Sequence, residues 1–150
     1  MLITNADYSD LPEILELQYL AYQSEAELHN NYTIQPLVQT LDELYREFEK
    51  GILLKATNDN DMIIGSVRGY VDNNSLFIGK LMVHPKHQGK GLGSQLLLAI
   101  EQRCPKCRYE LFTSEKSIRN LSFYEARGYR RFQEKLVTPK LKMIYLEKNS

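Results

Sequence analysis

Residues 84–94 read HPKHQGKGLGS: three glycines within five residues, ringed by cations, directly ahead of the apolar run Leu96 to Ile100. Glycine weakens regular structure, so such a cluster marks a place where the backbone itself has a task. A helix N-terminus leaves its first N–H groups without partners, and the aligned peptide dipoles add partial positive charge there. Phosphates bind such ends. Gly89, Gly91 and Gly93 remove side chains that would hold an anion away from those amides and allow unusual dihedrals, while Lys86, His87 and Lys90 add positive charge. The stretch reads as a phosphate or pyrophosphate cradle built mainly from backbone.

The flanks place this cradle in a fold. After it, Leu92, Leu96, Leu97 and Ile100 fall on one stripe of a helix expected over about 91–103, followed by a strand over 108–113. Before it, 76–83 has strand character. Strand, glycine-rich turn, helix and strand make a crossover unit, which pairs its two strands in parallel. Upstream, Ser9 and Pro12 open a helix expected to run to about Glu25. Thr40 and Glu43 form a capping box for a second helix, and 52–56 and 62–71 read as a hairpin. Downstream, a short helix over 119–127 stops at Gly128, and strands over 129–136 and 141–147 follow. The expected architecture is one mixed α/β (α+β) domain over residues 1–150, with a mostly antiparallel sheet of about seven strands and about four helices.

Composition narrows the function classes. With 150 residues, 43% hydrophobic and 25% charged, the chain has the make-up of an ordinary globular domain. Its polar, acidic start is unlike a secretory signal and its apolar runs are too short to cross a bilayer, so a soluble cytoplasmic protein with no membrane partner is expected. Net charge is zero, yet residues 1–50 carry ten acidic against two basic residues and 51–150 carry nine against seventeen. If these segments wall one cleft, one wall favours a cation and the other an anion. No basic stripe interleaved with aromatics is present, so nucleic acid is not an expected partner. Cys104 and Cys107 have the spacing of a redox pair or of half a zinc site. His29, His84 and His87 offer no further ligands at suitable spacing, and a reactive pair opens a helix whereas this one closes one. No metal is expected.

Spacing separates the kinds of phosphate cradle. A nucleotide-hydrolysing loop needs G-x-x-x-x-G-K-[ST], and the dinucleotide fingerprint needs G-x-G-x-x-G; the sequence offers G-x-G-x-G. Gln88-Gly89-Lys90-Gly91-Leu92-Gly93 instead resembles the Q/R-x-x-G-x-G/A signature of the GNAT superfamily of acyl-CoA N-acyltransferases. The preceding Leu81-Met82-Val83-His84-Pro85 is similar to that family's L-x-V-x-P strand. Asn120 to Tyr129, reading NLSFYEARGY, resembles its N-x-x-x-x-Y-x-x-x-G-[FY] landmark.

The resemblance implies an acetyl-CoA-dependent N-acetyltransferase. It places the pyrophosphate of acetyl-CoA on the amides of Gln88, Gly89, Lys90, Gly91, Leu92 and Gly93, with Ser94 as a further donor. It runs the cofactor's arm along Leu81, Met82 and Val83, and gives Asn120 a hydrogen bond to that arm or a helix-capping role. Tyr124 becomes both a cofactor contact and the general acid that protonates the departing thiolate. Where many relatives carry a Glu or His on the strand before the turn, this chain has Phe77-Ile78-Gly79-Lys80. The base is therefore sought elsewhere, at Glu25, Glu27 or His29 or through ordered water, while His84 is placed toward the pyrophosphate. The implied acceptor is a primary amine of a small molecule or peptide, cationic because the acidic first third lines that side. The alternatives are a non-catalytic acyl-CoA-binding or sensing module and a protein N-terminal or lysine acetyltransferase; a homodimer is left open.

Overall fold

The structure, a computed structural model, describes all of residues 1–150. Seven strands, β1 (Leu2–Asn5), β2 (Ile52–Thr57), β3 (Ile63–Asp72), β4 (Ser75–Val83), β5 (Arg108–Ser114), β6 (Arg130–Thr138) and β7 (Leu141–Asn149), form one sheet in the order β1-β2-β3-β4-β5-β7-β6. Every neighbouring pair is antiparallel except β4 and β5, which run parallel, as the helical crossover between them requires. To keep chain order, the helices are α1 (Leu11–Ala21), α2 (Gln23–His29), α3 (Gln35–Val38), α4 (Leu41–Lys50), α5 (Leu92–Glu101) and α6 (Ile118–Glu125).

The sheet separates two cores. The stripe of α5 (Leu92, Leu96, Leu97, Ile100) packs with Val67, Leu76 and Ile78 on one face, joined by Leu121 and Tyr124 of α6. On the other face Leu11, Ile14, Leu15 and Leu17 of α1 and Leu44 of α4 meet Leu53, Ile63 and Met82. Each of these buried side chains contributes roughly 1.5–3 kcal/mol of transfer free energy, enough to hold both helical layers on the sheet. The expected capping box opens α4: the Glu43 amide donates to Thr40 Oγ1 at 3.2 Å and the Thr40 amide to Glu43 Oε1 at 2.9 Å. Gly128, at φ 94°, follows α6.

Three features depart from the sequence reading. The single helix expected over 9–25 is broken at Tyr22 (φ −90°, ψ 6°) into α1 and α2, and Asn30 in the left-handed region ends α2. Apolar spacing carries α1 along the sheet through Leu17; α2 then turns aside on Ala26 alone, so the count of four helices becomes six with the four-residue α3. Cys104 and Cys107 are joined as a disulfide across the turn after α5.

The third departure positions the site. β4 and β5 pair only at Ser75/Arg108, Leu76/Tyr109 and Phe77/Glu110, although β4 runs on to Val83 and β5 to Ser114. Against β3, Ser66 faces Met82 and Arg68 faces Gly79, so Lys80 and Leu81 together oppose Val67. That is a β-bulge, with Lys80 at φ 51°. A bulge bends its strand and increases local twist, and here the bent part of β4 is the part no longer paired with β5.

Candidate active site

The gap between the parted strands is the mouth of a continuous cleft of about 2080 Å³. Single small ligands occupy roughly 300–1,000 Å³, so this volume suits an elongated ligand together with a second one. One wall is the free edge of β4 from Gly79 to Val83, the other Leu111 to Ser114 of β5, with α6 alongside. Leu81 and Val83 turn partly buried side chains onto the α5 core and offer the cleft main chain, whereas Met82, buried against α1, pairs with Ser66 of β3 just as the next such position, His84, bonds Ile64 O.

At one end of the cleft stands the glycine turn. Gly89 (φ 79°) and Gly91 (φ 81°) lie in the left-handed region, and a β-carbon on either meets no protein atom within 4 Å. The dihedral, not protein crowding, demands glycine there. Gly93 differs from the sequence reading: it lies in the first turn of α5 with helical backbone, and its β-carbon would make ordinary contacts with Phe123 at 3.6 Å and Val83 at 3.8 Å. The first helical bond is that of the Gln95 amide to Gly91 O, at 3.2 Å, so the amides of Leu92, Gly93 and Ser94 stand unpaired at the helix end. Leu92 itself is buried. Lys90 is exposed, and the Gln88 side chain reaches back to Val83 O at 3.5 Å. His84 is fastened locally: its amide donates to Ile64 O at 2.8 Å and its Nδ1 accepts from the Lys86 amide at 3.1 Å. Desolvation, His87 and Lys86 hold its imidazole below the ordinary range. Arg127 adds a cation the sequence reading missed, donating from Nε to Ser94 Oγ at 3.0 Å while stacking 3.8 Å above the Phe123 ring. Nothing in the spacing of residues 94 and 127 announces that pair.

Further along the same cleft, Tyr124 is buried with its ring edge-on to Phe123 and Tyr129. Burial, then Tyr22 and Glu25, push its phenol well above the ordinary tyrosine range, so it is fully protonated at neutral pH. Burial raises Tyr22 likewise, to about 12. Glu25 is occupied: its Oε1 accepts from Ser117 Oγ at 3.1 Å and Asn120 Nδ2 at 3.3 Å, and its Oε2 lies 4.0 Å from His29 Nε2. Asn120 also donates to Thr113 Oγ1 at 3.3 Å, and it sits inside α6 rather than at its cap. His29 Nδ1 is buried without a partner and Glu27 is exposed.

Beneath the bulge lies a polar network that joins β3, α1 and α4 through the link between α3 and α4. Arg68 of β3, 6% exposed, donates to Gln18 Oε1, to Gln39 Oε1 at 3.2 Å and to Glu47 Oε2 at 2.9 Å. The Gln39 amide in turn donates to Glu47 Oε1 at 2.6 Å. Lys80 sits beside this network and lines the cleft. Burial, then the neighbouring Arg68, lower its pKa to about 8 against a smaller opposing pull from Glu47.

The model of the acetyltransferase (GNAT) family matches residues 11–129, most of the chain and both of the landmarks above. The chain belongs to the GNAT acetyltransferase family. Solved GNAT structures agree on the fold. The PaiA N-acetyltransferase of Thermoplasma acidophilum, in complex with coenzyme A, has a TM-score of 0.81 at 17% identity, covering 99% of this chain and 98% of that one. The ribosomal-protein-S18-alanine N-acetyltransferase of Escherichia coli has a TM-score of 0.81 at 13% identity, covering 99% and 92%. A spermidine N-acetyltransferase chimera built from Vibrio cholerae SpeG has a TM-score of 0.73 at 15% identity, covering 99% and 96%. Among curated proteins no sequence match is found. As a GNAT domain the chain is an acyltransferase. No cluster of His, Cys, Asp or Glu suited to a metal is present, and no helix is long and apolar enough to cross a membrane.

Proposed function

We propose that residues 1–150 act as one N-acetyltransferase domain that moves an acetyl group from acetyl-CoA to a primary amine of a small molecule or peptide by direct attack on the thioester. The observation that carries this reading is the continuity of one cleft: unpaired amides at the α5 N-terminus, an unpaired β4 edge, and a protonated buried phenol at Tyr124 all border it. Coenzyme A fits what is there. The amides from Gln88 to Ser94, opened by two left-handed glycines, would hold its pyrophosphate, with Lys90 and Arg127 near the anion. The free main chain of Leu81 and Val83, on either side of Met82, would bind the extended arm as an added strand does. Acetyl-CoA supplies an activated acyl thioester. Tyr124 then donates its proton to the sulfur as the carbon–sulfur bond breaks, a role for which its raised pKa keeps the proton in place.

The acceptor is read as a cationic amine, because the acidic first third contributes Glu25, Glu27 and Glu47 to the cleft. Asn120 is read as serving the cofactor side indirectly, by holding Glu25 against Thr113. Thiol release from acetyl-CoA against polyamines, aromatic amines, amino acids and N-terminal peptides tests the acceptor class. Cationic acceptors should give the highest kcat/KM; a preference for anionic acceptors would overturn that assignment.

A further inference from the structure

Acetyl transfer to an alkylammonium needs a group that first removes a proton, and the carboxylate or imidazole sought at the first helices is spent or misplaced. Glu25 is held by Ser117 and Asn120, Glu27 is exposed, and His29 leans on Glu25. We propose that Lys80, as a neutral amine, accepts the proton of the acceptor ammonium. This rests on the acetyltransferase reading above.

The backbone aims the residue. Lys80 is the first residue of the β4 bulge, in the left-handed region at φ 51°, at the point where β4 has left β5 and its edge lines the cleft. A lysine in that conformation is strained, and such strain collects at functional positions. The bulge also sets its side chain on the face of Arg68 and Glu47, whereas Leu81 and Val83 lean on the α5 core.

The surroundings leave the amine unspent. No hydrogen bond contributes to its ionisation, in contrast to Lys55, which is fixed on Asp10 at 2.7 Å. The groups that face it are Arg68 on β3 and Glu47 on α4; Glu47 is already committed to Arg68 and Gln39. The same cleft is lined by Tyr22 at the α1–α2 bend, Glu25 and His29 of α2 and Tyr124 of α6, while Glu110 of β5 is paired with Arg108 at 2.8 Å. A partly buried amine beside a fixed guanidinium is one of the arrangements that keep a lysine partly neutral near physiological pH.

The proton count closes. The lone pair of Lys80 Nζ takes one proton from the acceptor ammonium, and the freed nitrogen attacks the thioester carbonyl carbon. A carbon–nitrogen bond forms, the carbon–sulfur bond breaks with its electron pair on sulfur, and Tyr124 protonates the sulfur. The second nitrogen proton, lost as the amide forms, restores the phenol, and Lys80 returns its proton to water.

Lys80→Met should stay folded, since it removes an ammonium whose charged form the fold disfavours. The sign follows from the lowered pKa: the charged lysine weakens the fold below pH 8, and stability is regained as pH rises from about 8 toward 10.5. The test measures steady-state pH profiles with the best amine found for the wild type, in a Cys104→Ser, Cys107→Ser background. Wild type should show a rising kcat limb near pH 8. Lys80→Met should lose the limb and about 10²-fold or more in kcat, the usual size of an acid–base contribution, while still binding coenzyme A. Lys80→Cys alkylated with 2-bromoethylamine, which installs a less basic amine of nearly the same length, should regain activity with its limb moved to lower pH. Retention of the limb and of near-normal kcat in Lys80→Met would overturn the proposal, as would stoichiometric acetylation of Lys80 itself, which would make it an acceptor. Absence of thiol release by the wild type with every amine would instead overturn the acetyltransferase reading, so the two failures are distinct.

Discussion

Replacing Gly91 by alanine separates what the glycine turn does for the fold from what it does for the ligand. At φ 81° a β-carbon is strained against its own backbone, a cost of about 1–2 kcal/mol for an L-residue in the left-handed region. Beyond the residue itself and its two chain neighbours no protein atom lies within 4 Å of that carbon, so no further steric penalty adds to it. For a chain of this length, 1 kcal/mol lowers Tm by about 2–4 °C, giving an expected fall of about 2–8 °C. The dihedral cost is present with and without ligand and does not weaken binding. The methyl group does, by standing where the amides of Leu92 to Ser94 meet the anion. A hydrogen bond to a charged group is worth about 1.5–3 kcal/mol, so losing one raises the Kd for coenzyme A by about 10–100-fold. Gly93→Ala is the internal comparison: its methyl meets Phe123 and Val83 at ordinary distances and alanine favours the helix, so Tm should hold or rise and binding persist. Calorimetric titration of coenzyme A alongside thermal unfolding reads both quantities. Wild-type affinity in Gly91→Ala, or an equal loss of affinity in Gly93→Ala, would refute the cradle.

Further outcomes follow from single side chains. Tyr124→Phe should lower kcat by about 10²-fold with coenzyme A affinity unchanged, as expected for loss of a general acid; near-normal turnover would leave Tyr124 a packing residue. Arg68→Met strips the buried network of its only cation and leaves Gln18, Gln39 and Glu47 short of a donor. A stability loss of roughly 2–4 kcal/mol is expected from those bonds in chemical denaturation, and a change below about 0.5 kcal/mol, the scale of ordinary surface substitutions, would contradict it. Asp10 is partly buried, which alone raises its pKa, yet its bonds from Lys55 Nζ and the Asp7 amide, each 2.7 Å, lower it overall. A depressed carboxylate stabilises the fold above its unfolded pKa and loses that contribution as pH falls through the folded value. Asp10→Asn should therefore lower Tm at pH 7 and flatten the fall of Tm on the acid side of pH 3.8, the unshifted value; identical pH profiles for the two proteins would contradict it.

Much of the fold was legible because local signals agreed with the tertiary outcome. The stripe Leu92, Leu96, Leu97 and Ile100 faces the sheet as its spacing requires, and Thr40 and Glu43 cap α4 reciprocally. HPKHQGKGLGS led correctly to a helix N-terminus with open amides, though only two of its three glycines need the left-handed region. What stayed hidden depends on groups far apart in sequence or on solvent exclusion. The parting of β4 from β5 follows from a bulge whose extra residue shows only in the register against β3. Glu25 reaches Asn120 across 95 positions, and Arg127 meets Ser94 across 33. Lys80 looked like the absence of a base because its altered basicity comes from burial and from Arg68, neither of which the Phe77-Ile78-Gly79-Lys80 stretch reveals.

The most direct test of the central claim follows both products of one reaction: coenzyme A thiol by a chromogenic disulfide and the acceptor by mass spectrometry, with acetyl-CoA and a panel of primary amines. The account predicts thiol release that requires an amine and matches, one for one, an acetylated product of that amine. Tight coenzyme A binding with no amine-dependent thiol release and no acetylated product would contradict it and leave a module that binds acyl-CoA without turning it over.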